Sequence, residues 1–148
     1  MFRKILMMRF LKVIVLGFLI NLCAVSAHAE VKKSGDTFNW ESVMAAIIHL
    51  ESRGNAKAVN GQYAGILQIS PILVKECNNI LKARGSKKRY KLSDRFNVQK
   101  SKEMFVLIQS FHNPMNNIER GIRLWAGGIQ YSIAKTQSYL GRVLSIMK

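Results

Sequence analysis

Met115, Ile118, Ile122, Trp125 and Ile129 step along the chain by three and four residues. That is the spacing of one face of an α-helix, and it predicts a helix buried on one side. The period recurs upstream in Val43, Met44, Ile47 and Ile48. It recurs again in Ile72, Leu73, Cys77, Ile80 and Leu81, behind a Pro71 suited to a first turn. A third stripe holds Val98, Phe105, Ile108 and Phe111, capped by Asp94 or Asn97 and broken at Asn113-Pro114. A last one holds Tyr139, Leu140, Val143, Leu144 and Met147, after a Gly127-Gly128 stop. Gly54 to Gly65 reads as loop. The one strand candidate, a short β-like segment over 63–69, is interrupted by Gly65. The fold class expected is mainly α, in a single domain.

The stripes do not begin at residue 1. Arg3, Lys4, Arg9 and Lys12 precede an apolar run from Val13 to Val25, and Ser26-Ala27-His28-Ala29 follows. Positive start, apolar middle and small residues at the A-x-A positions spell a signal peptide over 1–29, cleaved after Ala29. The run is shorter than the roughly 20 residues a membrane-spanning helix needs. Leu22 stands where lipidation at Cys23 would need a small residue. The working domain is therefore expected at 30–148, exported to the periplasm or cell envelope. Its contact with membrane is expected only through the signal peptide.

Charge then bears on partners. Of the 23 Lys and Arg residues four leave with the leader, while all 8 Asp and Glu stay. Export demotes nucleic acid as the partner of that positive balance and favours a polyanionic surface outside the membrane. Six of the cations crowd into Lys82 and Arg84 to Lys91, read as an exposed loop. An apolar share of 49 % excludes a disordered basic tail. Cys77 is left alone, a small core side chain by its neighbours. His49 and His112 lack spaced partners, so no metal site and no cofactor are expected.

One acid stands out. Glu51 lies three residues after Ile48 and four after Ile47, on their apolar face, whereas His49 points away. Burial penalises the charged carboxylate and raises its pKa, which fits it for general-acid work. A glutamate at a helix end can also pack its stem and hold its head in water. Spacing alone leaves both readings open.

The surrounding residues run Glu51-Ser52-Arg53-Gly54-Asn55-Ala56-Lys57-Ala58-Val59, then Gly65-Ile66-Leu67-Gln68-Ile69-Ser70-Pro71. Far downstream come Trp125-Ala126-Gly127-Gly128 and Thr136-Gln137-Ser138-Tyr139, then Val143. This ordered set, from about Trp40 to Val143, resembles the lytic transglycosylases, with their soluble lytic transglycosylase or goose-type lysozyme-like domain. The resemblance implies a lysozyme-like fold and cleavage of the MurNAc-GlcNAc β-1,4 bond of peptidoglycan, leaving a 1,6-anhydro-muramoyl end. It implies Glu51 as the single catalytic acid and base. Ser52 would orient Glu51, Gln68 and Ile69 would line the sugar cleft, Trp125 would stack a sugar or fill its helix stripe, and Tyr139 would point its hydroxyl at Glu51. Glycan strands would be the partner, alongside an envelope-spanning secretion or conjugation machinery for which the wall is opened. The chain departs from the family pattern at Ala126, where an Asn is usual, at Gln62-Tyr63 in place of Gly-Ala, and at Ala56 in place of Pro. A lysozyme-type hydrolase on the same fold and a catalytically reduced peptidoglycan binder are the alternatives.

Overall fold

The computed structural model describes residues 38–148; the expected signal peptide and its cleavage site lie outside them. The described chain is mainly α. Helix α1 spans Glu41–Ser52, α2 Pro71–Ala83, α3 Val98–His112, α4 Ile118–Gly127 and α5 Ile133–Ile146, with a 3-10 turn at Leu92–Phe96. Four of these starts have a side-chain cap. Ser70, Asn97, Asn117 and Ser132 each accept a backbone N–H three residues on, satisfying a donor the helix itself leaves free. At α1, Asn39 Oδ1 instead accepts the Glu41 N–H at 2.9 Å. Arg53 ends α1 in the left-handed region, φ 52°. Among the described residues no helix is long and apolar enough to cross a membrane.

The β-like segment over 63–69 is smaller than the sequence suggests. Strand β1 (Val59–Asn60) pairs antiparallel with β2 (Tyr63–Ala64), and Ala64 makes one further bridge to Ile69. Two residues per strand are too few to carry an alternating pattern, so the hairpin has no periodicity to read.

The fourth stripe is also shorter. Asn113 Oδ1 accepts the Asn117 N–H at 3.2 Å, and Asn116 sits at φ 52°. This turn starts α4 only at Ile118 and leaves Met115 exposed outside it. Gly128, at φ 75°, ends α4 before Ile129. Ile72, Val98 and Phe111, expected on buried faces, are exposed; Val74 and Met104 are buried in their helices instead. A stripe identifies a face only to within one residue, and packing partners choose the rest.

The core gathers Ile47 of α1, Leu67 and Ile69 of the hairpin return, Phe105 of α3, Ile122 of α4 and Val143 of α5, all fully buried. Through it runs an aromatic series, Trp40 to Phe105 at 5.8 Å and Phe105 to Trp125 at 4.8 Å between ring centroids. Gly121 makes this possible, because a Cβ there would stand 2.8 Å from the Trp40 ring. Arg123, buried, ties α4 to α5. Its guanidinium donates to Glu119 Oε1, Ile133 O, Thr136 Oγ1 and Gln137 Oε1, within 2.9 Å in every case. A planar fork of fixed donors suits this fan of acceptors, which a single ammonium does not.

Cys77 is fully buried, and burial pushes its thiol up to about 12. The native protein is therefore expected to leave a thiol reagent unconsumed at pH 8 and to consume one equivalent per Cys77 in denaturant. Rapid native labelling at Cys77 would contradict this burial.

Candidate active site

Glu51 closes α1, and Tyr139 stands in the middle of α5. The Tyr139 hydroxyl donates to Glu51 Oε1 at 2.6 Å, across 88 residues of sequence. Around the pair opens a cleft of about 290 Å³. Asn60 and Tyr63 of the hairpin, Gln68, Leu73 of α2, and Trp125 with Ala126 of α4 line it.

Burial holds the Glu51 carboxyl above its ordinary 4.5; the Tyr139 hydrogen bond and the charge of Arg142 pull the other way and are outweighed. Burial and the neighbouring Glu51 hold the Tyr139 phenol far above its ordinary 10. Tyr139 is thus a permanent donor, and Glu51 a carboxyl biased toward its protonated form. No second carboxylate lines the cleft among the described residues.

The cleft floor is set by the hairpin return. Gly65 adopts φ +80° and passes so close to the 3-10 turn that a Cβ on it would lie 1.7 Å from the Arg95 carbonyl oxygen. Arg95 also reaches back, donating from Nη1 to Gln62 O at 2.9 Å and Ile69 O at 3.1 Å. Gln68 itself sits at φ 48°, a region non-glycine residues seldom occupy. Its Nε2 donates to Gly65 O at 2.9 Å and Ala58 O at 3.2 Å, which ties the loop across its own width.

The expected site residues separate accordingly. Glu51, Gln68, Trp125 and Tyr139 converge on the cleft. Trp125 both lines it and packs on Phe105, so filling its stripe and facing the cleft are compatible. Ser52 does not hydrogen-bond Glu51. Its hydroxyl donates to Ile66 O at 2.8 Å, the better of two carbonyl contacts, and pins the hairpin return to the end of α1. Ile69 does not line the cleft: it is fully buried, because its bridge to Ala64 turns the side chain into the core. Ala126 lines the cleft with no polar group to offer.

Asn60, Leu73 and Arg95 were not singled out by the sequence. Asn60 and Leu73 sit in segments whose patterns say loop and core. Arg95 looks like one more surface cation in a basic chain, and no local signal marks its contacts. His112 Nε2 lies 2.8 Å from Glu76 Oε1, away from this cleft. Among the described residues no group of three or more His, Cys, Asp or Glu is placed to hold a metal ion.

Compared with known proteins, the chain matches no family model, no curated protein and no solved structure.

Proposed function

We propose that this chain is a peptidoglycan lytic transglycosylase with a lysozyme-like fold, carried by residues 30–148 after export to the periplasm or cell envelope. The observation that supports this most is the half-buried carboxyl of Glu51, hydrogen-bonded to Tyr139 in an open cleft with no second acid beside it among the described residues. Most glycosidases that use water or a covalent intermediate work with two carboxyl groups. An intramolecular hydroxyl attack needs only one.

Protonated Glu51 gives its proton to the glycosidic oxygen between MurNAc and GlcNAc as the C1–O bond breaks. Positive charge develops at C1 of the muramoyl ring. The carboxylate left on Glu51 then takes the proton of the muramoyl 6-hydroxyl, whose oxygen closes on C1 as the 1,6-anhydro bond. Glu51 ends protonated, no water is consumed, and the GlcNAc side leaves with its 4-hydroxyl. Tyr139 is a positioning residue: its hydroxyl holds Glu51 and stabilises the carboxylate between the two proton transfers. Gln68 and Trp125 shape the sugar surface. Glycan strands are the substrate, and an envelope-spanning machinery is the assembly such local opening would serve.

Incubation of the purified protein with isolated peptidoglycan, with products read by mass spectrometry, tests the reading. Muropeptides one water lighter than hydrolysis products are expected. Full-mass reducing ends would make the protein a lysozyme-type hydrolase. Binding to the wall with no release would make it a glycan binder, a reading favoured by Ala126, which puts a methyl group where the family pattern has an amide.

Tyr139→Phe removes the hydrogen bond that lowers the Glu51 pKa. Activity is expected to fall about tenfold, the worth of one hydrogen bond to a charged group. The limb of the pH–rate profile that follows Glu51 ionisation should move to higher pH. A uniform loss with an unmoved profile would assign Tyr139 to packing alone.

A further inference from the structure

Beside the cleft lies a second hollow, of about 570 Å³, which shares Tyr139 and Ala126 with it. Gln130, Lys135, Ser138 and Arg142 supply its polar wall. Lys135, Tyr139 and Arg142 are four and three residues apart on α5, so the two cations stand on one face with the tyrosine between them. The Arg142 guanidinium carbon lies 5.7 Å from the Tyr139 ring centroid. Neither cation is in an ion pair among the described residues, a state most Lys and Arg there share, and both are exposed. No carboxylate lines the hollow.

Two unpaired cations with hydroxyl and amide donors, set in a concavity that runs on from a sugar cleft, suit an anionic substituent of the sugar. We infer that this hollow is a subsite for a carboxylate carried on the glycan, held by Lys135 and Arg142. The inference rests on the glycan-cleaving reading for its substrate class and deepens it. An uncharged β-1,4 glycan offers the two cations of the hollow no counter-charge. A muramoyl residue brings a carboxylate in one of two ways, as its bare lactyl group or at the free acids of a stem peptide attached there. Either puts an anion on a side branch near the scissile bond, and the hollow borders the Glu51 cleft through Tyr139 and Ala126.

Binding measured in a Glu51→Gln background tests this without turnover and without Glu51 titration. Three oligosaccharides of equal length serve as probes: a chitooligosaccharide with no carboxylate, a peptide-free muramoyl glycan with lactyl carboxylates, and a stem-peptide-bearing glycan. At least one carboxylated probe is expected to bind about tenfold tighter than the chitooligosaccharide, the size expected of one charge-assisted contact. Whichever gains shows which carboxylate is held. Adding Lys135→Gln and Arg142→Gln should erase the gain and leave chitooligosaccharide binding unchanged. Lys82→Gln with Lys87→Gln, which removes the same charge elsewhere, should preserve it. Equal binding of all three probes, or a gain that survives the Lys135 and Arg142 changes, would overturn the subsite. The wild-type cleavage assay is separate: absence of product there would reject the enzyme, while the binding comparison still decides the hollow.

Discussion

Glu51→Gln is expected to leave peptidoglycan intact and to make the protein harder to unfold by heat at pH 7. The first effect follows from the chemistry. An amide neither gives nor takes the proton, and loss of a general acid or base lowers rates by about 10²–10⁴-fold. The second follows from linkage. The folded-state pKa of Glu51 is raised above its unfolded value. Between those two values the folded protein binds the proton more tightly, so stability falls as pH climbs through that window. Above the folded value the full cost of a desolvated carboxylate is borne. Gln carries no such charge, and its Oε1 can still accept the Tyr139 hydroxyl, so the variant's advantage should be largest at neutral pH. It should shrink below about pH 4, where the carboxyl is protonated in both states. Calorimetry of both proteins at pH 4 and pH 7, beside the product assay, checks both effects. A variant less stable at neutral pH would mean that Glu51 is a structural ion rather than a strained acid.

Gly65→Ala is expected to cost the fold about 3 kcal/mol or more. Two terms add. Alanine at φ +80° is strained by its own backbone, and its Cβ would meet the Arg95 carbonyl oxygen at 1.7 Å. A backbone carbonyl cannot swing aside as a flexible side chain can. The 3-10 turn must retreat, taking with it the Arg95 bonds to Gln62 and Ile69. Gly54 and Gly61 supply the controls, since both have positive φ and neither has an atom within 4 Å of an added Cβ. Each should lose about 1 kcal/mol, from the left-handed backbone alone. If chemical denaturation gives Gly65→Ala the same small loss as the controls, the close approach to Arg95 is wrong.

The contrast between these two positions shows what the sequence carried. Glu51 is legible because it breaks a local rule: a carboxylate on the apolar face of a helix is visible from residues four positions away. Helix boundaries are legible for the same local reason, through Asn97, Pro71 and Gly128, whereas the Asn117 cap goes unread. Gly65 is visible only as a punctuation mark in a loop. Its reason is Arg95, thirty positions on and in no periodic relation to it. Ile69 and Ser52 fail in the same way. Both are near the site in sequence, but a one-residue bridge turns Ile69 inward, and the Ile66 carbonyl draws the Ser52 hydroxyl away from Glu51. Patterns with a period of 3.6 say which way a side chain faces; they do not say what arrives opposite it.

The contact between Glu51 and Tyr139 also sets a schedule. One partner is in the first described helix and the other in the last, so neither a nascent chain nor an unfolded one holds the pair together. The pair is completed only when α5 docks, with Arg123 stitching it to α4. On the proposed reading, a chain with this arrangement holds no positioned acid for as long as it is being made or moved. The pair forms all at once, at the end of folding, when the last described helix packs.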